Sequence, residues 1–360
     1  MTNIKHQLKI NLLFAIIGLS VILTSCGKSG VTPSKNDTTK IITGTIIGGP
    51  GIYIGGYEST TNDLGQFLQV AKVWKNGKAT ALTDGTNDAE VSSVFVTDKD
   101  VYAAGYENNG DVDIAKIWIN GKATALSTQR SQAKAVYVIG ADVYVAGTEN
   151  YRAIVWKNGI GSPITANGGA GFAYSIYVVG QNYYAAGTDN YVAKLWTNGS
   201  SVLLPQEGTA ANFVTVVNGD VYVAGQVNNT GQYAGYGGTA VIWKNGLVTK
   251  LTVNTSDAAA NAVYINGKDI YAVGLEEGAN GDANYVAKVW KNGAATKLSS
   301  YESSGNAVLL SGSDLYILGD DSKGKNPSVK SIVTLWKNGV ATTYTDGTHD
   351  AHGASLFIKQ

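Results

Sequence analysis

Seven tryptophans, Trp74, Trp118, Trp156, Trp196, Trp243, Trp290 and Trp336, divide the 360-residue chain at intervals of 38 to 47 residues. Each sits in one local pattern. Ala lies three residues before the Trp (Val333 in the last copy), and Asn-Gly begins two residues after it, from Asn76-Gly77 to Asn338-Gly339. Both residues of a type I′ turn need positive φ, so Asn-Gly after a short apolar run marks a two-residue hairpin. Each repeat reads as four short strands. Blade-like examples are Ser93–Val96, Val101–Gly105, Ala115–Trp118 and Ala123–Leu126. A four-stranded unit of about 40–45 residues is a propeller blade. The expected fold is all-β, a seven-bladed β-propeller over residues 41–360.

A tyrosine recurs in the second strand of every repeat, at 53, 102, 144, 184, 222, 271 and 316. Sevenfold repetition points to packing between blades, whose inner strands are covered on both faces, more than to a ligand platform. Closing the ring requires the two ends to meet. Gly353–Ile358 resembles a first strand with no second strand after it, and fits blade 1 beside Gly51–Ile54. Lys40–Ile47 competes for the same place.

Residues 1–25 read as a cleaved secretory signal: Lys5 and Lys9, an apolar run from Leu12 to Leu23, then small residues before a lone Cys26. The apolar run is short for a membrane span of about 20 residues. Residues 26–40 are polar, without apolar periodicity, and read as a flexible tether. Removing residues 1–25 leaves 25 basic and 27 acidic residues, so no basic excess favours nucleic acid. A single cysteine excludes a disulfide within the chain.

The Leu23-Thr24-Ser25-Cys26-Gly27 stretch resembles a bacterial lipoprotein signal, which implies acylation of Cys26 and anchoring to a membrane. Val-Tyr-Val-Ala-Gly (143–147, 221–225) followed by Ala-x-x-Trp-x-Asn-Gly is similar to repeats of uncharacterised Bacteroidota lipoproteins and of the HAF family of extracellular repeat proteins. The resemblance spans residues 51–360. It implies an outer-membrane lipoprotein on the periplasmic side or the cell surface. It brings no catalytic residues.

Strand direction alternates within a blade, so the Asn-Gly turns share one face and the second-to-third loops share the other. The latter vary in length, from five residues between Gly147 and Ala153 to fourteen between Gly225 and Ala240. Binding groups favour variable loops on a rigid scaffold. Three features fall there. Carboxylates stand two residues after the second-strand Gly: Glu58, Glu107, Glu149, Asp189, Glu276 and Asp321. They suit a cation or a hydroxyl-rich ligand, or simply cap their own loops. Tyr151, Tyr191 and Tyr285 follow Asn before the third strand, and Tyr233 and Tyr236 occupy the longest loop; aromatic faces beside amides suit glycan or peptide contacts. The near-repeats Thr83–Ala89 and Thr345–Ala351 place Asp84, Asp88, Asp346 and Asp350 close together, a weak pattern for Ca²⁺, since EF-hand spacing is not met.

Catalytic residue types are scarce. The mature chain has two histidines, His349 and His352, and no P-loop or HExxH. The expectation is a monomeric binding scaffold presenting one face to a protein or glycan. The alternatives are a carbohydrate-active enzyme using rim carboxylates, or an assembly factor without a small ligand.

Overall fold

The computed structural model describes residues 43–62, 65–166, 169–205, 208–229, 237–253, 257–278, 285–323 and 330–360. Cys26, with segments 1–25 and 26–40, lies outside them, as do Tyr233, Tyr236 and Asn284. The described residues form seven four-stranded antiparallel sheets, each in the order inner, second, third, outer. In blade 2 these strands are Ala89–Val96, Val101–Asn108, Asp113–Ile119 and Lys122–Ala125. Blades 3 to 7 span residues 131–163, 171–203, 208–250, 258–297 and 303–343. Blade 1 (Gly51–Thr61, Phe67–Lys75, Lys78–Ala81) takes its inner strand from the C-terminus, Ala351–Lys359. The inner strands touch in succession and close a ring. The fold is a seven-bladed β-propeller.

The described part of the competing segment, from Thr43 on, is peripheral. Gly44 N donates to Ala81 O, Ile46 N to Asn120 O and Gly48 N to Lys99 O. The chain thus crosses the Asn-Gly face from the outer edge of blade 1 inward, beneath the seam with blade 2. Ile46 is buried there beside Tyr53 and Trp118.

The repeated aromatic groups hold the seams. All seven tryptophans are at most 1% exposed. Each packs into the preceding blade: Trp118 joins residues of blade 1, Trp243 those of blade 4, and Trp74 those of blade 7. A buried aromatic removes roughly 150–250 Å² from water. Truncating one costs about 3–5 kcal/mol. The second-strand tyrosines pack between blades as well. In five blades a lysine after the Trp covers the ring, at 5.0 to 5.4 Å from its centroid.

The Asn of each Asn-Gly turn does more than adopt positive φ (49–53°, followed by Gly at 80–90°). Its Oδ1 accepts the N–H at the start of the second strand in all seven blades, at 2.8–3.0 Å. In blades 2 to 7 its Nδ2 donates to the side chain just before or at that strand start, Asp100, Asp142, Asn182, Asp220, Asp269 or Asp314, at 2.7–2.8 Å. Four of these aspartates also pair with the lysine after the Trp. The lysine and asparagine together hold Asp142, Asp220, Asp269 and Asp314 below the usual carboxylate range. Trp-Lys-Asn-Gly is therefore a clamp across three strands.

A β-bulge interrupts the pairing of all seven inner strands with their second strands. Bulges bend a strand and re-aim a side chain. Here each bulge drives an inner-strand carbonyl into the place a Cβ would take on the facing second-strand residue. That residue is glycine in every blade, as at Gly105 against Glu90 O and Gly319 against Ser304 O.

Candidate functional site

The bulges shape the loop-rich end of the central channel. The bulged residues in blades 5, 6 and 7 are asparagines, and each reaches the next blade: Asn212 Nδ2 donates to Ala260 O, Asn261 to Gly305 O and Asn306 to Gly353 O, at 2.9–3.0 Å. One residue further along, Ser355, Ser93 and Ser175 accept the N–H of Val94, Val136 and Val214 in the following blade, at 3.0–3.1 Å. Six of the seven seams carry one of these links.

The rest of this end is chemically uneven. On the side of blades 7, 1, 2 and 3 it is charged. His352 Nδ1 lies 2.6 Å from Asp320 Oδ2, and Asp320 also accepts from Gly353 N and Asn306 Nδ2, both at 2.9 Å. Burial opposes a charge on His352, but the fields of Asp320 and Glu90 win, and its pKa is pushed up to about 9. Glu90 is buried and pairs with Ser92 Oγ at 3.3 Å. Tyr57 leans on the His352 ring, and Lys134 lies over Tyr106. Burial, then the Glu90 carboxylate, raises both phenols well above their ordinary range. On the side of blade 4 the lining is aromatic, with Phe172 and Tyr174 stacked nearly parallel. At the opposite end, Phe357, Phe95, Tyr137 and Tyr177 form a chain of tilted rings about 5 Å apart.

The six rim carboxylates do not converge on one point; each sits on its own blade. Glu58 pairs with Lys72 and Glu107 with Lys116. Glu276 pairs with Lys288 at 2.8 Å. In each pair the lysine stands in register opposite the glycine of the bulge. Asp321 is buried and caps Lys323 N at 2.9 Å. Asp189 accepts from Asn190 Nδ2 at 3.5 Å. Glu149 ends the second strand of blade 3, facing Arg152 in register. The lysines two residues before Trp74, Trp118 and Trp290 were the sequence signal for these pairs.

The tyrosines divide into two kinds. Tyr285 donates to Asp257 Oδ2 at 2.7 Å; Asp257 is itself buried and also accepts from Gly238 N and Gln226 Nε2. Burial lifts its carboxyl above the usual range against these donors. Tyr151 and Tyr191, by contrast, are 57% and 68% exposed. Each is the second residue of a two-residue hairpin, Asn150-Tyr151 and Asn190-Tyr191, with φ of 62° and 65°. Among the described residues they are the only aromatic side chains at positive φ.

The four aspartates of the near-repeat are connector caps. Asp84 accepts from Thr86 N and Oγ1, and Asp346 from Thr348 N and Oγ1. Asp88 accepts Gln69 N at 2.8 Å and Asp350 accepts Ser331 N at 3.1 Å, while Lys330 pairs with Asp350 at 3.0 Å. Among the described residues no three His, Cys, Asp or Glu side chains converge as a metal site would need.

No family model and no curated protein sequence matches the chain. Solved propellers do. The β-propeller domain of the trilobed protease from Pyrococcus furiosus is 9% identical, covering 85% of this chain and 99% of that one, with a TM-score of 0.49. Acylaminoacyl peptidase from Pyrococcus horikoshii is 12% identical over 84% of this chain and 53% of its own, with a TM-score of 0.49; the present chain spans about half its length. TolB from Acinetobacter baumannii is 12% identical over 84% and 82%, with a TM-score of 0.43. Likeness this distant says nothing of function, and the propeller assignment rests on the strand order itself.

Proposed function

We propose that this protein is an extracytoplasmic binding scaffold, held to a membrane by acyl chains on Cys26, whose loop-rich face contacts a protein or glycan through Tyr151 and Tyr191. The observation that carries this reading is the backbone conformation of those two residues. The left-handed region costs a non-glycine residue roughly 1–2 kcal/mol. The Asn-Gly turns on the other face avoid that cost at their second residue, which is glycine, and place at the first an asparagine, a residue that tolerates the region. Blades 3 and 4 instead spend it to hold an aromatic ring at the tip of a tight, rigid hairpin. Such strain, observed in the structure, points to function. The neighbouring Asn150, Glu149, Asn190 and Asp189 supply polar groups beside the rings, a combination that suits hydroxyl-rich sugars or peptide backbones.

The carbohydrate-active alternative needs a pair of carboxyl groups flanking one bond. Glu58, Glu107 and Glu276 are each tied to a lysine on their own blade, which favours binding over acid–base work. Membrane anchoring draws on the residues around Cys26 and on the similarity to bacterial lipoproteins.

The test is a thermal-shift screen of the full mature protein against a glycan panel and Ca²⁺, alongside a Tyr151→Gly/Tyr191→Gly variant. A ligand that binds the folded state stabilises it by about 2.7 kcal/mol at 100 times its Kd. The expected result is a shift with one glycan class that the variant loses while keeping its fold. A ligand shift that survives in the variant would remove the tyrosines from the site. No shift at saturating glycan leaves a protein partner, to be sought by cross-linking from a photoreactive group at position 191.

A further inference from the structure

The near-neutral chain is strongly polarised once folded. The half of the disc that holds the Asn-Gly and first-to-second turns carries ten lysines and six aspartates, all among the described residues, a surplus of four positive charges. The opposite half carries seventeen described carboxylates against eleven lysines and arginines, a surplus of six negative charges. The segregation follows from the repeat itself. Lysine after Trp and the lysines of the turns recur at one end of six of the seven sheets, blade 4 having none there, while the acids that cap loops and connectors recur at the other.

The chain enters the propeller on the basic side. Residues 43–50 cross the Asn-Gly face beneath the seam of blades 1 and 2, fixed by the bonds of Gly44, Ile46 and Gly48 and by Lys75 Nζ on Ile47 O and Gly48 O. The residues that precede them after Cys26 add Lys28, Lys35 and Lys40 against Asp37. From Cys26 to Thr43 an extended chain reaches at most about 60 Å. Chain length by itself does not select the face turned to a surface, and charge does.

We propose that the Asn-Gly face lies against anionic phospholipid headgroups of the membrane in which Cys26 is anchored, turning the loop-rich face with Tyr151 and Tyr191 away from it. This rests on the anchoring reading above. Juxtamembrane lysines are drawn to an anionic lipid surface and carboxylates are repelled from it. A negative face towards the lipid would therefore be disfavoured by the same field that attracts the positive one. Lys78, Lys99, Lys122 and Lys268 are exposed on the basic face and are the groups best placed to meet headgroups.

The experiment uses the full mature chain with one added cysteine, Lys268→Cys on the basic face or Tyr191→Cys on the loop-rich face, carrying a fluorophore. An acylated Cys26 has its sulfur in a thioether, which leaves the added thiol as the labelling site. Vesicles contain a headgroup-linked quencher in phosphatidylcholine alone or with phosphatidylglycerol. The expected result is severalfold stronger quenching at position 268 than at 191 on phosphatidylglycerol vesicles. The difference should collapse in about 1 M salt, where the screening length falls to about 3 Å. It should also collapse in the K78E/K99E/K122E variant. Equal quenching of both positions, or a difference insensitive to salt and to charge reversal, overturns the orientation. Intact mass of the purified protein separates the two readings: a chain without acyl groups refutes anchoring, and with Cys26→Ser added, so that the introduced thiol again carries the label, its salt-sensitive adsorption to the same vesicles still decides which face is drawn to the lipid.

Discussion

His352 Nδ1 and Asp320 Oδ2 lie 2.6 Å apart across the seam where blade 7 meets blade 1. His352 belongs to the C-terminal strand and Asp320 to the second strand of the last blade. The same carboxylate takes Gly353 N, Asn306 Nδ2 and the Ser304 hydroxyl, so one side chain gathers four donors from two blades. The ring closes through a charged contact as well as through strand pairing.

That contact makes stability depend on pH. The folded-state pKa of His352, about 9, exceeds its ordinary value of 6.5. The protonated ring therefore stabilises the fold fully below pH 6.5, and the contribution is lost as pH rises through 9. At 1.36 kcal/mol per unit the upper bound is about 3 kcal/mol. Urea midpoints should fall between pH 6.5 and 9.5 in the wild type, and His352→Gln should flatten that slope. An unchanged slope in the variant would assign the pH dependence elsewhere.

Asn306 carries the neighbouring link. In Asn306→Ala the buried Gly353 carbonyl loses the Asn306 amide and Asp320 loses one of its four donors. Leaving a buried polar group unpaired costs about 1–3 kcal/mol. Asn212→Ala removes the same type of bond at the seam of blades 5 and 6 without touching a charge, and should cost less. Equilibrium unfolding of the two variants side by side tests the ranking.

The turn asparagines can be told apart by their partners. Asn292→Asp would set a carboxylate against Asp269, 2.8 Å away, and lose the donated hydrogen. Asn198→Asp faces the amide of Asn182, which can turn to donate. The expected loss is about 1–2 kcal/mol for the first and a few tenths for the second, in line with the worth of single hydrogen bonds. Comparable losses would mean that turn geometry alone, not the clamp, explains the asparagine.

Tyr151→Gly and Tyr191→Gly should each raise stability, because Asn-Gly suits a type I′ turn and relieves about 1 kcal/mol of backbone strain. Melting temperatures of the single variants check this. A fall on substitution would mean that the exposed rings make folding contacts that outweigh the strain, and would weaken the binding role assigned to them.

Much of the fold was legible in the chain because its signals are local. Trp and Asn-Gly act within one hairpin, and their sevenfold recurrence counts the blades without knowledge of contacts. The site was less legible. Glu58, Glu107 and Glu276 read along the chain as candidate ligand groups, and only cross-strand register shows that Lys72, Lys116 and Lys288 pair with them. Tyr285 shared the Asn-Tyr pattern of Tyr151 and Tyr191, yet Asp257, twenty-eight positions earlier, claims its hydroxyl.

By itself the sequence determined seven blades, the turn type at each Asn-Gly and the aromatic residues that fill the seams, since each follows from spacing and φ. The tertiary structure alone decided that Ala351–Lys359 closes the ring while residues 43–50 lie beneath it, that bulges turn Asn212, Asn261 and Asn306 into links between blades, and that charge separates to opposite faces. Those outcomes depend on which distant strands pair and in what register, and a repeat read along one dimension carries no record of register between blades.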